Sequence, residues 1–159
     1  MSFFESQRQA FDTVVWEYTL VFEDLNDADL WKRAHPRLLS VGELTAHVVY
    51  AMVGRANALN PAANLSSTLA VDAVDYYLRN VEKPIELPMT VAEVQAELER
   101  VGAAARDAWL AVDKTRDEDS GTGLGTLGQL ADYMVFHVSY HAGQAFSVRH
   151  LMGHKTNDN

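Results

Sequence analysis

Four times along this chain a Ser or Thr is followed three residues later by Glu or Gln: Ser2–Glu5, Ser40–Glu43, Thr90–Glu93 and Thr126–Gln129. In such a pair the hydroxyl accepts the N–H of the third helical residue. That residue's side chain returns to the N–H of the cap, so two orphan donors are satisfied together. Each pair opens a run of apolar residues stepping by three and four. The first run is Phe4, Phe11, Val14, Val15, Tyr18, Phe22 and Leu25, and the second is Leu44, His47, Val48, Ala51 and Ala58. The third is Val91, Val94, Leu98, Val101, Ala105, Ala108 and Val112. The fourth is Leu127, Leu130, Met134, His137, Val138, His141, Ala145, Val148 and Leu151. That period belongs to core-facing helices. The expected fold is all-α, a bundle of four helices burying one another's stripes.

The connections suggest the topology. About fifteen residues containing Pro36 join the first two helices, and a glycine-rich stretch, Gly121 to Thr126, joins the last two. Between the second and third helices lies a long segment, about Asn60 to Pro88, with a short helix expected near Leu69 to Arg79. A connection of that length lets the third helix run parallel to the second, as in a crossover bundle. Gly153 follows the last stripe residue and suits a helix C-terminus. Residues 1–153 therefore read as one domain and 154–159 as a frayed tail.

Composition narrows the function. Hydrophobic residues make up 48% of 159, enough for a real core, and no apolar run is long enough for a membrane span. The start is neither basic nor followed by a cleavable apolar run, so the chain is expected in the cytoplasm. The formal charge of −9, with no clustered Lys and Arg, argues against nucleic-acid partners. Arg55 and Arg149 are the candidates for a local basic pocket that takes a small acid or cofactor. Cysteine is absent, which removes disulfides, thiolate ligands and a cysteine nucleophile. Any thiol chemistry needs a thiol carried on a cofactor.

Three histidines lie on the stripes themselves. His137 and His141 are one turn apart and project from one helix face, while His47 belongs to another helix. Buried imidazole is costly unless its nitrogens find partners, and one shared divalent metal satisfies all three. Three protein ligands leave coordination positions open, as in catalytic sites. Imidazole suits Zn, Ni, Cu and Fe, with Zn or Ni expected. His35 lies in a loop before Pro36, and His150 and His154 read as a cationic helix terminus. Candidates for the catalytic work around the metal are Glu43, Tyr50, Tyr133 and Gln144. Trp16 and Tyr18 read as core. Trp109, Leu110 and Phe146 lie outside the stripes and are available for a homodimer interface.

Two segments, SVGELTAHVVYA around His47 and FHVSYHAGQAFSVRHLMG around His137 and His141, resemble the second- and fourth-helix signatures of the DinB/YfiT-like superfamily. The resemblance implies a four-helix bundle with a long connection after the second helix. It also implies a divalent metal, Zn or Ni, on His47, His137 and His141. Some members resemble transferases or isomerases that use a low-molecular-weight thiol. The leading expectation is thus a metal-dependent transferase or hydrolase acting on a small molecule. The alternative is a non-catalytic metal- or ligand-binding stress-response module, dimeric and stapled by its metal.

Overall fold

The computed structural model of the chain describes residues 2–75, 83–111, 115 and 117–155. Within them lie five α-helices: α1 (Phe3–Thr19), α2 (Asp27–Leu30), α3 (Val41–Leu59), α4 (Val91–Leu110) and α5 (Leu127–Leu151). No strand occurs among the described residues, so the fold is all-α. The starts of α3, α4 and α5 carry complete capping boxes at Ser40, Thr90 and Thr126. At Ser2 the hydroxyl accepts the Glu5 N–H, one half of the pair. At the other end of α5, Gly153 takes φ +93°, a left-handed conformation that favours glycine.

The four long helices use the stripes to pack. Both α1 and α3 lie against α4 and α5. Phe11, Val15 and Tyr18 of α1, Val94, Leu98 and Val101 of α4, and Met134 and Val138 of α5 are buried in one core. The stripe of α3 is the widest, with every residue from Val41 to Val49 buried.

Several expectations are corrected. Helix α1 stops at Thr19 and tightens into a 3₁₀ turn over Leu20–Phe22, so Leu25 is buried from outside a helix. The cause is Arg149. Its fully buried guanidinium donates to the carbonyls of Leu20, Val21 and Glu23 at 2.6–2.9 Å, capturing the chain as it leaves the helix. Trp16 is 57% exposed, because it sits a step of 100° off the line of Phe11, Val15 and Tyr18. Ala58 is exposed and Leu59 takes the buried position. Leu151 is 68% exposed at the end of α5. Helix α2, unexpected from the stripes, is capped by Asn26, which accepts the Asp29 N–H at 3.0 Å.

Of the short helix expected over Leu69 to Arg79, the described part holds one 3₁₀ turn, Asp72–Val74. The remainder from residue 76, like Val112, lies outside the described residues. Of the residues expected in the tail, His154 and Lys155 make contacts and 156–159 lie outside the described residues. His154 Nε2 lies 2.9 Å from Asp29 Oδ2, and the Lys155 carbonyl accepts from Arg149 at 2.9 Å.

One close approach decides how α3 meets the preceding loop. A Cβ at Gly42 would lie 2.5 Å from Cε3 of Trp31, whose indole N–H donates to the Met89 carbonyl at 3.1 Å. Because Trp31 is rigid and tied, Gly42→Ala must displace it. The expected loss is about 1–3 kcal/mol, a fall in thermal midpoint of about 2–4 °C per kcal/mol, read by calorimetry; an unchanged midpoint would refute this packing account.

Candidate metal centre

His47 stands in the second turn of α3, and His137 and His141 stand a turn apart in the middle of α5. Packing of α3 on α5 closes the triangle. Ring centroids are 5.2 Å apart for His47–His137, 4.8 Å for His47–His141 and 4.5 Å for His137–His141. One ligand nitrogen from each ring lies within 4.8 Å of the others. The side chains are 4%, 2% and 9% exposed, so water does not screen them.

The hydrogen bonds of two rings set their tautomers. His47 Nδ1 donates to the Val74 carbonyl at 2.8 Å, and His141 Nδ1 donates to Gln144 Oε1 at 2.7 Å. A carbonyl oxygen can only accept, so in the neutral rings Nε2 carries the lone pair. That is the arrangement of a metal-binding histidine oriented through its other nitrogen. Gln144 is itself held, since its Nε2 donates to the Tyr140 hydroxyl at 3.1 Å.

His137 is different. Both of its ring nitrogens are buried and neither has a hydrogen-bond partner. Its ring stacks on Tyr133 at 5.4 Å and 28°. Leaving a buried polar group unmatched costs about 1–3 kcal/mol. An ion shared with His47 and His141 removes that cost. Metal–nitrogen bonds of about 2.0–2.1 Å place tetrahedral ligand nitrogens about 3.4 Å apart, which small side-chain rotations reach from the observed spread.

Electrostatics agree with the donor chemistry. Burial, then the neighbouring imidazoles and Arg55, push the His137 pKa down to about 3. Burial and His47 push His141 down to about 4 against the pull of Gln144, and burial lowers His47 as well. At neutral pH all three are uncharged, as metal ligation requires. The donor set is imidazole nitrogen, of borderline softness and without thiolate, so Zn, Ni, Cu and Fe all suit it.

The remaining candidates separate clearly. Glu43 does not reach His47. Its carboxylate accepts from Ser40 N at 2.8 Å, from Nε and Nη2 of Arg33, and from Ile85 N at 3.0 Å. With those donors on a side chain that has no exposed surface, Glu43 is a structural clamp rather than a base. Arg149 is committed to backbone carbonyls and is not available to a small acid. Arg55, half-buried two turns beyond His47, donates to the Thr122 carbonyl at 3.1 Å, and its charge is felt at His137. Tyr50 is part-buried against the core. The Val74 carbonyl is the participant that sequence reasoning missed, and a backbone acceptor leaves no side-chain signal by which to find it.

No family model, curated protein or solved structure matches the chain. The site is defined by its own geometry, a buried three-histidine cluster able to hold a divalent metal.

The unmatched ring gives a prediction of unusual sign. His137→Leu should abolish metal binding yet raise the thermal midpoint of the metal-free protein by about 2–4 °C or more. The effect should grow on acidification. The unfolded chain takes up protons at its histidines below about pH 6.5, whereas the fold resists until pH nears about 4 at His141 and about 3 at His137. Metal-free stability is therefore full above the unfolded value and lost as pH falls towards the folded ones. Calorimetry at pH 7 and pH 5 reads both effects, and a midpoint lowered by His137→Leu would mean that the ring is satisfied within the core.

Proposed function

We propose that the chain is a metalloenzyme of the DinB/YfiT-like kind, a crossover four-helix bundle whose His47, His137 and His141 hold one Zn or Ni ion. The observation that carries this reading is the unmatched, buried His137 between two rings already turned for ligation. The crossover is supported at the far end of the helices. Leu59 and Trp109, near the ends of α3 and α4, line one cavity with Phe4 and Leu127 at the starts of α1 and α5. Parallel α3 and α4 account for that meeting.

A bound divalent ion supplies Lewis acidity, lowering the pKa of a thiol or water at its open positions. The protein supplies the rest. Gln144 and the Val74 carbonyl hold His141 and His47 in the ligating tautomer. Burial keeps bulk water from the rings. Arg55 places a positive charge beside His137 that suits an anionic group of a cofactor or substrate. Tyr133, stacked on His137, is the side chain we assign to orienting that molecule, with Tyr50, one turn beyond His47 on α3, as the second candidate. Because the chain has no cysteine, a thiol nucleophile would arrive as a low-molecular-weight cofactor.

The test is the metal content of protein purified without tag or chelator, beside His141→Ala, followed by the visible spectrum of the Co form with added glutathione or azide. About one metal per chain, lost in the variant, and a spectrum that shifts with thiol are expected for an open site. A full metal complement with an unresponsive spectrum would leave a stapled, non-catalytic module.

The expected interface residues fare differently. Trp109 and Phe146 pack against the core. The exposed large residues on α5 are Phe136, Tyr140 and Leu151, which share one face by helical spacing. We propose that this face pairs two copies; sedimentation should find wild type dimeric and Phe136→Glu monomeric, and two identical profiles would exclude it.

A further inference from the structure

The cavity that Leu59, Trp109, Phe4 and Leu127 line, of about 110 Å³, lies at the end of the molecule where α3 and α4 finish and α1 and α5 begin. By the 1.5 Å rise per residue it is about 18 Å along α3 from His47. It is a place separate from the histidine cluster. Phe4, Leu59, Leu127 and Leu130 give it apolar walls, and Arg8, Gln7 and Trp109, which carry polar groups, also line it.

The charges around it are unequal. Arg106 also lines the cavity, but it is paired with Asp12 at 3.1 Å and Asp107 at 2.8 Å. Arg8 is half-buried and meets no carboxylate among the described residues. In a chain of net charge −9, an unpaired half-buried cation beside an apolar cavity is out of keeping with its surroundings. Trp109 adds a second unmet need. Its ring packs on Phe11 at 4.8 Å, and its buried indole N–H has no acceptor. Gln7 is anchored through Nε2 to Asp132 at 2.8 Å.

We propose that this cavity is a binding site for a small organic acid with an apolar ring or branched chain, a monocarboxylate of about benzoate size. The volume decides the body. A cavity of about 150 Å³ accommodates benzene, so 110 Å³ takes a slightly smaller apolar group or a ring whose head reaches the mouth. The polar groups decide the head. A carboxylate offers a negative charge to Arg8 and a lone pair to an N–H donor, which an alcohol or amine does not do together. The inference is independent of metal at the histidines.

The probe is benzoate, titrated into the protein as purified, with benzyl alcohol as the neutral control. The readout is the indole N–H resonance of Trp109 and the histidine ring resonances. The expected result is a saturable shift of the Trp109 signal with a Kd of about 0.1–1 mM and unmoved histidines. Benzyl alcohol and Arg8→Gln should each weaken binding about tenfold or more. Ala131→Leu, which fills the cavity, should abolish it. If that variant does not fold, the half-exposed Arg8→Gln decides alone. No saturable shift at millimolar benzoate, equal binding of the alcohol, indifference to Arg8→Gln, or shifts confined to the histidines would each overturn the proposal.

Discussion

The carboxylate of Glu43 has no exposed surface, and the donors around it come from three separate stretches of chain: Arg33, the Ser40 backbone and the Ile85 backbone. It closes the cap that starts α3 and ties down the loop before it and the segment that leads into α4. His47 stands one turn further on, so the position of the first ligand depends on this clamp. A buried ion pair is weak evidence of net stability, but removing one partner strands a charge, at a cost of about 3–5 kcal/mol. The clamp therefore specifies register, placing the start of α3 against Trp31 and the chain at Ile85.

The same accounting of buried polar groups explains the site. His47 and His141 each satisfy one nitrogen within the protein, and the satisfied nitrogen is the one that leaves Nε2 as acceptor. His137 satisfies neither. Three imidazoles held neutral by burial, one of them without any partner, make a poor core on their own and a good cradle for a cation. The fold bears a local instability where α3 meets α5, which a bound cation would relieve.

Much of this was legible in the residues because side-chain chemistry and helical period leave marks. The caps at Ser40, Thr90 and Thr126 and the three histidines on their stripes, which the fold brings into one cluster, were read directly, and they bound the all-α architecture. Other features were illegible for physical reasons. Glu43 follows Ser40 at capping spacing, yet nothing in the spacing says that Arg33 and Ile85 also claim it. Val74 acts through its carbonyl, which every residue possesses. Arg149 resembled a ligand-binding cation because three of the carbonyls that occupy it lie 126–129 residues away. Trp16 is apolar by type but lies off the buried face by angle.

The proposal that three imidazole nitrogens from α3 and α5 hold one metal with part of its coordination open is tested most directly by X-ray absorption of the zinc-loaded protein. Three imidazole nitrogens at about 2.0–2.1 Å are expected, with at least one further ligand that exchanges with added thiol to give a Zn–S distance of about 2.3 Å. A zinc ion surrounded by four protein ligands, or one bound with fewer than three imidazoles, would contradict it.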